Sequence, residues 1–171
     1  MKYILLLRHA KSSWNDPDLD DFDRPLAGRG LEDAPRMGKY LKKIGYRPEY
    51  IASSTALRAR QTTQLCLEAM KRDESLVKWD DHLYFESVGS YLSAIQEAPE
   101  NTERIMLVGH NPLMEATATL LSGGKDKTAF RMPTAGLVCL ESYALRWEDI
   151  NPATCQIKWM MIPKVLREII D

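Results

Sequence analysis

Leu5-Leu6-Leu7-Arg8-His9-Ala10 decides the fold of this chain. Tyr3 to Leu7 has the length and unbroken apolar character of a strand buried on both faces, as in a parallel sheet. The run stops abruptly at a cation and an imidazole. Open α/β sheets bind ligands in the crevice at the carboxyl ends of their strands. Arg8 and His9 are therefore expected side by side in a site, where the cation can hold an anion while the imidazole attacks it.

Outward from that strand, the chain alternates strand and helix signals. Gly28 to Ile44 carries Leu31, Ala34, Met37, Leu41 and Ile44 at helical spacing, and Gly45 ends it. Tyr50 to Ser53 reads as a short strand. Ser54 and Thr55 are cap-type residues before a helix from Ala56 to Met70. A short strand at Leu76 to Trp79 and a helix at Val88 to Glu97 follow. Arg104 to Val108 is a further apolar strand, stopped at Gly109. Asn111 is expected to cap the next helix, with Pro112 at its first position, and that helix runs to about Leu121. Gly136 to Glu141 and Cys155 to Ile162 read as a late, antiparallel pair of strands, and Pro163 opens a C-terminal helix. This order implies a layered α/β domain with a mainly parallel sheet.

At 171 residues the chain is expected to form one domain, residues 1–171, with a substantial core. Its apolar fraction of 44% and charged fraction of 27% are those of an ordinary globule. A net charge of −1 argues against general nucleic-acid binding, so anion recognition must be local. No apolar run approaches the roughly 20 residues of a membrane span, and the N-terminal run is too short for a signal peptide. A cytosolic location is expected. Cys66, Cys139 and Cys155 lack metal-ligand spacing and read as reduced core thiols.

Three segments repeat one design, a strand end followed by chemistry. Arg8-His9 follows the first strand. Ser53-Ser54-Thr55-Ala56-Leu57-Arg58-Ala59-Arg60-Gln61-Thr62 follows the second, with Arg58 in the first turn of a helix. Gly109-His110-Asn111-Pro112 follows the Arg104 strand. In a parallel sheet these ends share one edge, bringing two Arg and two His together. Arg forks bind phosphoryl oxygens bidentately, and helix N-termini add donors. A neutral histidine can attack phosphorus and carry it covalently, and nearby Arg charge helps to keep the ring neutral. Asp16, Asp18, Asp20, Asp21 and Asp23 lack the spacing of a calcium loop and are expected to be a solvated acidic loop. His82 reads as a loop residue, Arg60 as a surface residue, and Lys125 with Lys127 as a surface turn.

The Arg8-His9-Ala10 triplet, the Ser53 to Thr62 segment and Gly109-His110-Asn111-Pro112 resemble the histidine phosphatase superfamily. Arg8 to Trp14, Arg24-Pro25-Leu26 and Arg29-Gly30, in so short a chain, are similar to its SixA-type branch of phosphohistidine phosphatases. The resemblance spans roughly residues 1 to 140. It implies a three-layer α/β/α sandwich of the phosphoglycerate-mutase-like fold. It also implies that His9 is transiently phosphorylated, that Arg8, Arg58 and His110 hold the phosphoryl group, and that no metal or other cofactor is required. Lys11, Ser12, Ser13, Asn15 and Asn111 are candidate pocket residues. Family members acting on phosphomonoesters carry an acid before the third helix, and Glu86 is the candidate here, with Asp80 and Asp81 as alternatives. Only 28 positions separate Arg58 from Glu86. So short a segment leaves little chain for a lid, and an open pocket suits a phosphorylated side chain on a protein. The expected function is a metal-independent phosphatase acting on protein phosphohistidine. The alternatives are a phosphatase of a small phosphomonoester and a noncatalytic phosphate-binding module. The expected partner is a phosphorylated protein or small phosphorylated substrate, with no nucleic acid and no membrane, and the expected state is a monomer.

Overall fold

A computed structural model describes residues 1–125 and 130–170, so Lys127 lies outside the described residues. Among these, six strands form one sheet in the order β3-β2-β4-β1-β5-β6. The strands are β1 (Lys2–Arg8), β2 (Tyr50–Ser53), β3 (Val77–Trp79), β4 (Arg104–Gly109), β5 (Leu137–Ser142) and β6 (Gln156–Met161). The first four in that order run parallel; β5 is antiparallel to both β1 and β6.

Alternation along β1 divides the core into two. Ile4 and Leu6 face one side, with Leu83, Tyr91, Ile95, Met114 and Trp147. Leu5 and Leu7 face the other, with Ala34, Met37, Leu41, Cys66 and Leu166. Helices α1 (Gly28–Lys43), α2 (Leu57–Met70) and α5 (Pro163–Ile170) cover the second face. Helices α3 (Val88–Gln96) and α4 (Leu113–Leu121) cover the first. This is the three-layer α/β/α sandwich. Each of the four β1 side chains is fully buried, which stabilises the fold by about 1.5–3 kcal/mol apiece. The three cysteines are free and buried.

Two helix starts differ from expectation. The N-cap of α2 is Ala56, whose side chain makes no cap bond, because Ser54 and Thr55 bond elsewhere. Likewise Pro112 is the N-cap of α4 rather than its first residue, and the Asn111–Pro112 peptide is cis. The Asn111 amide reaches Glu115 and the Met132 carbonyl instead of capping. Leu31 of α1 is half exposed and lies off the core face.

The sheet register sets the site. Arg8 pairs with Gly109, and Ser53 pairs with Val108. The carboxyl ends of β1, β2 and β4 therefore finish together, and each next residue leaves the sheet at the same edge. Gly30 presses α1 against this edge: a Cβ there would lie 2.2 Å from the Lys11 carbonyl oxygen.

Candidate active site

His9 is held by main-chain bonds on three sides. Its N–H donates to the Gly109 carbonyl, its own carbonyl accepts from Ala135 N–H, and the next amide, Ala10 N–H, donates to Thr62 Oγ1. The ring is fixed as well. Its Nδ1 lies 2.7 Å from the Ala10 carbonyl oxygen. A carbonyl only accepts, so Nδ1 carries the proton and the Nε2 lone pair is free. Burial lowers the His9 pKa, the Ala10 bond opposes this, and the charges of Arg58, Arg8 and Arg24 lower it further, to about 4. The His9 ring is thus neutral and oriented at pH 7, as attack on phosphorus would require.

His110 lies beside it, with ring centroids 5.1 Å apart. Its Nε2 is 2.8 Å from Ser54 Oγ, and that oxygen accepts from Ala56 N–H at 3.3 Å. Donation of the Ser54 hydroxyl proton to Nε2 places the ring proton on Nδ1. Burial, then the proximity of His9 and Arg58, pushes the His110 pKa down to about 2. The main chain of His110 is anchored by its N–H to Tyr91 Oη, and Tyr91 in turn donates to the Leu83 carbonyl. Gly109 is required by the same tyrosine, since a Cβ there would meet Tyr91 Oη at 2.0 Å.

Arg8 donates one Nη1–H to the Met132 carbonyl. Burial lowers its pKa and the charge of Glu115 opposes this. Glu115 accepts from Asn111 Nδ2 and Met132 N–H, so it both orders the wall behind Arg8 and balances its charge. Arg8 Nε and His110 Nδ1 are buried and have no hydrogen-bond partner among the described residues. Buried donors without partners are costly. Two of them at one strand edge, next to a free imidazole nitrogen, fit a small oxyanion such as a phosphoryl group.

Arg58 and Arg24 complete the positive rim, and both meet Asp21. Arg58 Nη2 lies 2.9 Å from Asp21 Oδ2 and Arg24 Nη1 lies 2.7 Å from Asp21 Oδ1. Tyr84 Oη donates to Asp21 Oδ2 at 2.6 Å. Partial burial raises the Asp21 pKa, but the bonds from Tyr84, Arg58 and Arg24 outweigh it and hold the carboxyl near 2. Asp21 is therefore not part of a merely solvated loop: it is the counter-ion of two site arginines.

The remaining expected residues separate into groups. Ser12 Oγ and the Ser13 carbonyl both accept from Arg24, so they orient that side chain. Trp14 lies over the same guanidinium. The Lys11 carbonyl accepts from Ala27 N–H. Asn15 is exposed, and its N–H bonds Ser13 Oγ. Glu86 bonds neither His9 nor His110. Its carboxylate bonds Ser90 Oγ at 2.6 Å and His82 Nδ1 at 3.0 Å. The Ser90 bond first, and then His82, keep its pKa below the ordinary carboxylate value, so it is ionised at pH 7. Asp80 accepts from His82 N–H and Asp81 from Thr55 Oγ1. The place beside His110 belongs instead to Phe85 and Tyr84, with ring centroids 4.8 and 5.4 Å from the imidazole.

Sequence reading did not single out Asp21, Ser54, Tyr84, Phe85 or Glu115 individually. Ser54 had a signal, since it immediately follows the end of β2, one of the strand ends expected to meet at the site. Asp21 had none that set it apart from its acidic neighbours.

The comparisons with known proteins agree with this geometry. A family model described as the histidine phosphatase superfamily (branch 1) matches residues 4–82. An uncharacterized protein of Mycobacterium tuberculosis is 30% identical over 165 residues, covering 92% of this chain and 100% of that protein. A solved structure from Agrobacterium tumefaciens, assigned as a phosphohistidine phosphatase SixA, is 34% identical with a TM-score of 0.79, covering 95% of this chain and 98% of that one. The protein histidine phosphatase SixA complexed with tungstate shares the fold at a TM-score of 0.80 and 23% identity, over 96% and 99% of the two chains. With His9, His110, Arg8 and Arg58 gathered at one sheet edge, the chain belongs to the histidine phosphatase superfamily, in the SixA-type branch.

Proposed function

We propose that this protein is a metal-independent phosphatase that forms a phosphohistidine on His9 and removes phosphate from protein phosphohistidine. The observation that carries this is the fixed His9 ring, with Nδ1–H spent on Ala10 and Nε2 free beside the buried donors of Arg8 and His110.

The chemistry follows from those atoms. The Nε2 lone pair attacks phosphorus, a P–N bond to His9 forms, and the bond from phosphorus to the leaving group breaks. Arg8, His110 Nδ1–H and Arg58 stabilise the nonbridging oxygens as charge spreads over them. Arg58 exchanges the Asp21 carboxylate for the phosphoryl oxygens. Water then attacks the phosphoryl group, inorganic phosphate departs, and the electron pair returns to Nε2.

The substrate class rests on the leaving group. Glu86 is ionised, exposed and bonded to Ser90 and His82, so it does not supply a proton to a departing alkoxide. An imidazole leaves more readily than an alkoxide and needs less acid help. The chain acts as a single domain and a monomer in the cytosol in this proposal. A substrate profile at neutral pH tests it, with phosphohistidine protein set against sugar and nucleotide monophosphates, each with and without EDTA. Preference for phosphohistidine, unchanged by the chelator, is expected. Clear preference for a small ester overturns the substrate assignment, and loss of activity in EDTA overturns the metal-independent mechanism.

A further inference from the structure

Three aromatic rings run in contact from the solvent to His110. Phe22 meets Tyr84 edge-on at 5.0 Å, Tyr84 meets Phe85 at 5.0 Å, and Phe85 lies tilted over His110 at 4.8 Å. Phe85 is unusual twice over. It stays 47% exposed, so core burial does not account for it. Its backbone sits at φ 111°, a region that L side chains rarely adopt. Such strain costs on the order of a kcal/mol or more and gathers at functional sites. Tyr84 is fixed from the other side by its bond to Asp21 and by Arg58, whose guanidinium lies 5.8 Å from its ring.

We propose that Phe85, backed by Tyr84 and Phe22, is the wall against which the leaving group stacks, and that it selects substrates whose phosphoryl group is attached to a planar ring. The inference rests on the phosphatase reading of the same site and names the feature of the substrate that this site prefers. His9 is enclosed by the ends of β1 and β4 and by Ala135, so the leaving group must project toward solvent. His110 is itself fully buried, and Phe85, tilted over its ring and half exposed, is where that edge of the site meets solvent. A planar group placed there gains ring contact; an aliphatic chain gains little. The imidazole of phosphohistidine and the ring of an aryl phosphate both meet the requirement, whereas glycerol or sugar phosphates do not. Aromatic pairs of this kind are worth roughly three- to tenfold in affinity.

The test is binding of phenylphosphonate and methylphosphonate, two stable anions that differ only in the ring, by calorimetry with the full chain. The wild type is expected to prefer the phenyl compound by roughly three- to tenfold. Phe85→Leu should abolish that preference and Phe85→Tyr should restore it. The same ratio should appear in KM for phenyl phosphate against glycerol phosphate. A wild type that binds both phosphonates equally overturns the inference, as does a Phe85→Leu variant that weakens both in the same proportion. Failure of the phosphatase reading shows differently, as absence of turnover on every phosphorylated substrate, phosphohistidine protein included, with the phosphonate preference intact.

Discussion

His9 and Phe85 both touch His110, at 5.1 and 4.8 Å between ring centres, yet the chain holds them in unlike ways. His9 hangs from a central strand, nearly enclosed, with its own N–H, carbonyl and ring nitrogen tied to backbone atoms and the next amide tied to Thr62 Oγ1. Phe85 stands in a short turn after Asp81–Leu83, half in water, at a backbone angle that costs energy. The sheet makes the phosphoryl side of the site and loops make the leaving-group side. Chemistry common to a family belongs on the rigid part; the choice of substrate belongs where the chain can vary without disturbing the sheet.

The sharpest way to break this contrast is on the rigid side. Arg58→Ala and Arg8→Ala should each lower turnover by on the order of 10²-fold or more, since each removes charge from the developing oxyanion. Steady-state kinetics check this; a loss of only a few fold in either would show that its guanidinium does not meet the reacting group. Gly109→Ala probes the scaffold instead. The added Cβ meets Tyr91 Oη, and displacing that hydroxyl unseats His110. A loss of about 1–3 kcal/mol in denaturant unfolding is expected, with activity falling alongside.

Acid should weaken the rigid side specifically. The folded pKa values of His9 and His110 lie near 4 and 2, both below the ordinary 6.5 because burial disfavours the charged ring. Below pH 6.5 the unfolded chain binds protons that the folded chain refuses, so stability falls as pH falls. His9 stops contributing near pH 4, while His110 continues lower. Each ring should cost on the order of 1 kcal/mol per pH unit in that window and nothing above it. Unfolding free energies at pH 7, 6 and 5 measure the slope, and His110→Asn should reduce it. On the loop side the smallest effect is expected at Glu86. Glu86→Gln should change turnover less than about twofold on any substrate, because its carboxylate bonds Ser90 and His82; a tenfold loss would restore it as the proton donor.

The same contrast explains what could be read from the chain. β1, β2, β4 and the long helices were legible because each carries an unbroken apolar run or a helical period with a clear stop. Arg8, His9, Arg58 and His110 were legible because strand ends in parallel register must meet. Asp21 was not, since its partners Arg58 and Tyr84 lie 37 and 63 residues away and its neighbours Asp20 and Asp23 look the same in sequence. Glu86 was expected at the histidines from its place before α3. The turn instead directs Phe85 there and sends the carboxylate to the start of the helix, a difference of one residue that only the backbone angles decide. Asn111 had the right chemistry for a cap, but the wall behind Arg8 claims its amide.

Acid-resistant labelling cannot report a phosphoramidate, so the decisive measurement is a rapid alkaline quench. The enzyme is mixed with a 32P-labelled phosphodonor, stopped in base within milliseconds, and mapped by peptide. A base-stable, acid-labile label on the peptide containing His9, absent in His9→Ala, is the expected result. Full turnover by His9→Ala, or a label on any other residue with His9 unmodified, would contradict a nucleophilic His9.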